Sequence, residues 1–274
     1  MAADYPFKGY DNFVLENKIN SILSTKMDMN RFMTADYSLA GTPGMTKKIH
    51  KYTGVGSAED LARGEGNTEF VDASYTEEEY TVTRTQGQCK YYDDDVMTDP
   101  VLIDTKIQTL SEGMVNNWTA KAIAEFGKAT HKVYTGANTG FTFDAFADAL
   151  AELDLEDADE SGFFALVSVD DRAELRKAMK DELKYVEANA RTGYIGTVCG
   201  VSIYTSKAVT AGTIYVANKE AVTAFMKKDV EIAQDRNENT RTNTIYGRNV
   251  KVIALTNQDK VCAIVKGAKP ASSH

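Results

Sequence analysis

A single helical stripe runs from Ile103 to Val133, and no other feature restricts the fold as strongly. Ile103, Ile107, Leu110, Met114, Trp118, Ala122, Phe126, Ala129 and Val133 recur at steps of three and four, which aligns them on one face of an α-helix. Gln108, Glu112, Thr119, Glu125 and Lys128 fall off that stripe. Thr98 or Asp99 can cap its start, and Pro100 suits a first turn, where its missing N–H has no helical partner to lose. The pattern predicts a helix of about 30 residues, spanning roughly 45 Å. Such a length makes it a rigid backbone for the molecule. The Ala and Trp positions suit a coiled-coil seam poorly. Gly113 inside it costs about 1 kcal/mol relative to Ala and marks a bend or a close approach.

Upstream, residues 1–40 are mixed in character, with a short helix expected over Phe13–Leu23 and irregular apolar groups at Met27, Met29, Phe32 and Met33. Residues 41–79 hold glycines at 41, 44, 54, 56, 64 and 66 among frequent charges. Alternation over Met45–Tyr52 and Asn67–Tyr75, with Ser57 and Asp60 spaced as the capping box of a very short helix, reads as a long surface insertion, for which a protruding hairpin that pairs with another subunit is one task. Loops of this length are uncommon unless they have a task. Tyr80, Val82 and Arg84 then alternate as a half-buried strand. Gln86-Gly87 reads as a turn, Cys89, Tyr91 and Tyr92 as a second strand, and Asp93-Asp94-Asp95 as a solvated cap that ends it.

Downstream, Phe143, Phe146, Leu150 and Leu153 form a short amphipathic helix, and Phe163–Val169 an apolar strand. Ser168 with Asp171 caps a helix carrying Leu175, Met179 and Leu183. Short strands follow around Ile195, Val198, Val201, Ile203 and Tyr204, then one over Ile214–Ala217 and a short helix over Lys219–Met226. This order reads as a small α/β unit. Val230 and Ile232 precede a charged stretch, Asp235–Arg241. Tyr246-Gly247-Arg248-Asn249 reads as a turn, and strands at Val250–Leu255 and Val261–Val265 are joined by a hairpin at Asn257–Lys260.

The 274 residues are 43% hydrophobic and 26% charged, the balance of a folded chain. A net charge of -9 argues against a broad basic surface that wraps nucleic acid. Neither a signal peptide nor an apolar run of membrane-spanning length is expected. Cys89, Cys199 and Cys262 are widely spaced and suit a reducing compartment without a disulfide framework. His50, His131 and His274 have no ligand at metal-site spacing. Gly54-Val55-Gly56 lacks the lysine and hydroxyl of a phosphate loop, and Gly193, Gly196 and Gly200 miss the dinucleotide spacing. The acidic run from Asp154 to Glu160 lacks the ligand pattern of a calcium loop. No catalytic, cofactor-binding or metal-binding residue is assigned, and no cofactor is expected.

The order of parts resembles the major capsid proteins of tailed bacteriophages (Caudoviricetes) with the Hong Kong 97-type fold. Tyr80–Met97 is similar to that family's approach to its spine helix, Gly193–Ser206 to a recurrent axial-domain segment, and Arg236–Val250 to its return into the peripheral domain. The resemblance implies an α+β fold. It comprises an N-terminal arm (1–43), an extended loop (44–79), a peripheral domain with the spine helix (80–135), an axial α/β domain (136–226), a return into the peripheral domain (227–267) and a C-terminal tail (268–274). It implies a structural protein, not an enzyme, that forms hexamers and pentamers of an icosahedral shell around double-stranded DNA. Expected partners are other copies of the chain, a separate scaffolding protein, a portal protein and DNA in weak non-specific contact, without a membrane. The expected location is the virion, after assembly in the host cytoplasm. An encapsulin nanocompartment shell and a non-shell tail or adhesion component are the alternative readings.

Overall fold

Two β-sheets share one long helix. The computed structural model describes residues 29–55, 60, 61, 63, 64, 66, 72–99, 101–137, 139–153, 162–178 and 196–269. Four strands, β1 (Thr34–Asp36), β4 (Thr83–Tyr92), β10 (Val222–Asn237) and β11 (Thr242–Leu255), form a sheet in the order β1-β10-β11-β4. Two strands, β2 (Thr46–Val55) and β3 (Asp72–Thr81), form a separate antiparallel ribbon. A six-stranded sheet has the order β5-β12-β9-β6-β8-β7. Its strands are β5 (His131–Tyr134), β6 (Phe163–Val167), β7 (Thr197–Val198), β8 (Val201–Thr205), β9 (Thr213–Asn218) and β12 (Val261–Val265). The helices are α1 (Asp93–Thr98), α2 (Leu102–Phe126), α3 (Phe143–Glu152) and α4 (Val169–Ala178).

The stripe lies on α2, whose 25 residues span about 37 Å. Asp99 Oδ1 accepts from the Val101 N–H at 3.0 Å at its start. Ile103, Ile107, Leu110 and Met114 pack with Tyr91, Val230, Ile232 and Ile245 of the four-stranded sheet. Ala122, Ile123 and Phe126 pack with Phe164, Leu166, Ala217, Val261 and Ala263 of the other sheet. Contact with two sheets broadens the buried face: Val115, Ser111 and Thr119 are buried as well, although Thr119 lies off the stripe. Ser111 satisfies its buried hydroxyl by donating to Ile107 O at 2.8 Å. The expected helix is too long at its C-terminal end. It stops at Phe126, and Ala129 and Val133 belong to a turn and to β5, which pairs in parallel with β12. Their helical spacing is coincidental, and strand pairing decides the conformation.

Other sequence expectations are corrected. Gly87 and Gly247 are not turns. They pair side by side in β4 and β11, directly beneath α2. A Cβ on Gly87 would lie 2.5 Å from Leu110 Cδ1, and one on Gly247 would lie 3.1 Å from Met114 Sδ. Glycine here lets helix and sheet approach closely. Residues 219–226 form no helix; Val222–Met226 begins β10, held between β1 and β11, so sheet pairing overrides local helix propensity. Asn257–Lys260 is a crossover, since β11 and β12 lie in different sheets. Asp93 is no solvated cap: it is buried, and its carboxylate accepts from Asn243 Nδ2 at 2.7 Å and Arg236 Nη2 at 3.0 Å.

The six-stranded sheet is covered on both faces, and β6 is buried along its whole length. Phe163, Ala165 and Val167 face a core with Phe146, Ala149 and Leu175, while Phe164 and Leu166 face α2. The Ser168–Asp171 cap is present, with Asp171 N donating to Ser168 Oγ at 3.1 Å. The Phe13–Leu23 helix, Ser57, Phe70, Pro100, the Asp154–Glu160 run, Met179, Leu183, Gly193, Ile195 and His274 lie outside the described residues.

Candidate functional site

The feature that least resembles a folding core is the β2–β3 ribbon. Its ten-residue strands extend about 33 Å. Lys48 stands opposite Glu79, and His50 opposite Glu77. Lys48 forms an ion pair with Glu77. Lys48, His50, Glu77 and Glu79 are exposed, and Tyr75 is 61% exposed. A two-stranded ribbon is marginal in water when it stands alone.

Among the described residues the ribbon's packing lies at its root. Leu39, Val82, Phe225 and Ala254 cluster there, with Ile49 and Tyr80 packed against them. Tyr80 Oη donates to Leu255 O at 3.2 Å, and Val82 N donates to Met45 O at 2.7 Å. Lys47 Nζ donates to Ser38 Oγ at 2.8 Å and lies 3.8 Å from Asp36. Burial and the neighbouring Glu78 carboxylate push the Tyr80 phenol above its ordinary range, so it is a permanent donor at neutral pH.

Beside this root lies an open groove of about 750 Å³, lined by Pro43, Met45, Val250 and three cations, Arg84, Lys227 and Lys228. Lys227 Nζ donates to Thr42 O at 2.8 Å and also to Gly44 O. On the same strands Arg248 and Lys228 hydrogen-bond Glu231 and hold its carboxyl down at about 2. Glu77 and Glu79 of the ribbon are faced by His50 and Lys48, and the groove's Lys227 and Lys228 are likewise engaged within the subunit.

The titratable residues considered from sequence do not converge. The His50 ring lies 4.9 Å from that of Tyr75 on the ribbon, tilted by 57°, whereas His131 lies between Glu152 and Asp259 at 3.6 and 3.8 Å. Cys262 is buried, and desolvation pushes its thiol up to about 12. Cys199 is not within a strand; it sits at φ 48 in the β7–β8 turn. Among the described residues no group of three or more His, Cys, Asp or Glu is placed to hold a metal. No helix among them is long and apolar enough to cross a membrane. The basic groove escaped sequence reading because Arg84, Lys227 and Lys228 come from strands far apart in the chain.

No family model and no curated protein matches the sequence. Solved structures do match its fold. The mature capsid of bacteriophage PhiM1 aligns with a TM-score of 0.69 at 12% identity, covering 87% of this chain and 86% of that one. The capsid of Ralstonia phage GP4 gives 0.69 at 9% identity, covering 90% of each. The fold is that of the Hong Kong 97-type capsid proteins. An encapsulin complex from Synechococcus elongatus shares it, with a TM-score of 0.61 at 14% identity over 86% of both chains. In a Hong Kong 97-type fold α2 corresponds to the spine helix and the β2–β3 ribbon to the extended loop.

Proposed function

We propose that this chain is the repeating subunit of a closed protein shell, the major capsid protein of a tailed phage, with a structural and not a catalytic role. One observation carries the reading: a ribbon of two ten-residue strands whose packed described residues lie at its root, so that the remainder suits the surface of a second copy. In this reading the subunit contacts copies of itself in rings of five and six, with a scaffolding protein and a portal as further partners. With a net charge of -9, the shell holds double-stranded DNA by confinement and not by tight contact. It assembles in the host cytoplasm and resides in the virion.

The domain division follows the sheets. The arm is residues 1–43 and the extended loop 44–79. The peripheral part contains β4, α1, α2, β10 and β11. The axial part contains the six-stranded sheet, so that β5 and β12 join it and not the peripheral part.

The test replaces residues 51–74 with a short glycine-containing turn, sparing Lys47 and Ile49 at the root. The expected product is a soluble, cooperatively unfolding subunit that makes no heat-stable shells by electron microscopy with scaffold added. Normal shells would remove the basis of the proposal. Small uniform cages around a cargo enzyme, from the unaltered chain, would favour the encapsulin reading.

A further inference from the structure

Between α2, β11 and the edge strand β4 lies a cavity of about 200 Å³ that the assembly reading does not use. Two ammonium groups line it. Lys121 Nζ donates to Thr85 Oγ1 at 2.9 Å and lies 3.5 Å from Thr83 Oγ1, both neutral acceptors. Lys251 Nζ lies 3.6 Å from the centre of the Trp118 ring. Among the described residues neither lysine is ion-paired. Glu125 also lines the cavity, but its carboxylate is engaged by Lys128 at 2.6 Å and by the Leu255 N–H at 3.4 Å.

Buried donors in the same layer lack acceptors. Trp118 Nε1, on a residue that lines the cavity, is buried without a partner, and so are both the nitrogen and the oxygen of the Asn249 amide, which lies outside the cavity lining on a residue that is 1% exposed. Asn249 stands two positions from both Gly247 and Lys251 along β11, so it shares their face toward α2. A buried N–H without an acceptor is costly, and two ammoniums in one cavity repel each other. One occupant relieves both.

We propose that this cavity binds a small inorganic oxyanion of the phosphate class, held by Lys121 and Lys251 with Trp118 Nε1 as a neutral donor. The site is a property of the subunit and does not depend on shell formation. Donors around about 200 Å³, room for about six or seven waters at roughly 30 Å³ each, suit a small oxyanion with part of its hydration better than a drug-sized organic ligand. Desolvation and the nearby Lys121 hold Lys251 down at about 8, against Asp229, which raises it. A bound anion therefore also recruits a proton at alkaline pH.

Trp118 is the chain's single tryptophan, so its fluorescence reports on the site directly. Inorganic phosphate titrated into the full chain at constant ionic strength, balanced with gluconate, should give a saturable change with millimolar half-saturation. Lys251→Met and Lys121→Gln should each weaken it about ten-fold, the effect of losing a charge-assisted hydrogen bond. Lys251→Arg should restore most of it, and Lys106→Gln, outside the cavity lining, should leave it unchanged. Each variant is checked for a cooperative melt, and either cavity variant alone suffices. A change that follows ionic strength alone, or survives in both cavity variants, overturns the site. A response to a short DNA duplex without one to phosphate also overturns it, since the phosphate would then be that of a polymer on the surface.

Discussion

Gly87→Ala tests the close approach of α2 to the sheet. The added Cβ would stand 2.5 Å from Leu110 Cδ1, so the leucine must leave its rotamer or the helix must lift. Overpacking of this kind costs about 1–3 kcal/mol. Replacing glycine in a backbone conformation open to alanine returns about 0.4–1 kcal/mol through the unfolded chain. The net expectation is a loss of about 0.5–2 kcal/mol. Leu110→Ala alone should cost about 2–5 kcal/mol, because Leu110 is 9% exposed and its removal leaves a void. In that background the sign reverses: the methyl at position 87 enters the void and recovers about 0.8 kcal/mol in addition to the chain-entropy gain. The four proteins, compared by equilibrium urea unfolding, should therefore show a coupling energy of about 2–4 kcal/mol. Additivity within about 0.5 kcal/mol would refute the argument that these two residues compete for one space.

Asp93→Ala should destabilise by about 2–3 kcal/mol in the same assay, less than for a fully buried pair because the Arg236 side chain is 38% exposed. Glu238→Gln, altering the exposed partner of the same arginine, should change stability by under about 0.5 kcal/mol. Lys251→Met should stabilise the protein at pH 7 by about 1–3 kcal/mol, the cost of the lowered pKa less the attraction to the Trp118 ring. Since the folded value of about 8 lies below the ordinary 10.5 of a lysine, the unfolded chain holds the extra proton between them. Stability of the unaltered protein thus rises across that window, and its difference from the variant should vanish near the upper end. Filter binding of the subunit to duplex DNA at physiological salt should be weak, and nanomolar salt-sensitive binding would contradict the confinement reading.

How far the sequence could be read depended on whether local spacing or distant pairing decided each element. The stripe from Ile103 to Phe126 was legible because each residue's partner surface is apolar whatever its origin. The Ser168–Asp171 cap was legible because both groups lie within one turn. Val222–Met226 was not, because its conformation comes from β1 and β11, far away in the chain. Gly87 and Gly247 looked like turns because glycine carries two meanings, and only the overlying Leu110 and Met114 select between them. Asp93 was hidden among three aspartates, and its partners Arg236 and Asn243 follow some 150 residues later. The ribbon was visible from glycine, charge and alternation, whereas the groove beside it needed three strands brought together.

The last strand, β12, is inserted between β5 and β9, and β11 is inserted between β10 and β4. Neither sheet can close before its C-terminal strand has been synthesised. The long helix is complete at Phe126, yet its partner strand ends at Leu255, 129 residues later. At about 5–20 residues per second that wait is roughly 6–26 s. During it the apolar stripe has no finished surface to pack on. The same topology separates translation from assembly in time. The basic groove draws on Arg84, Lys227 and Val250, so a chain still on the ribosome offers no completed surface there to its neighbours on the same message.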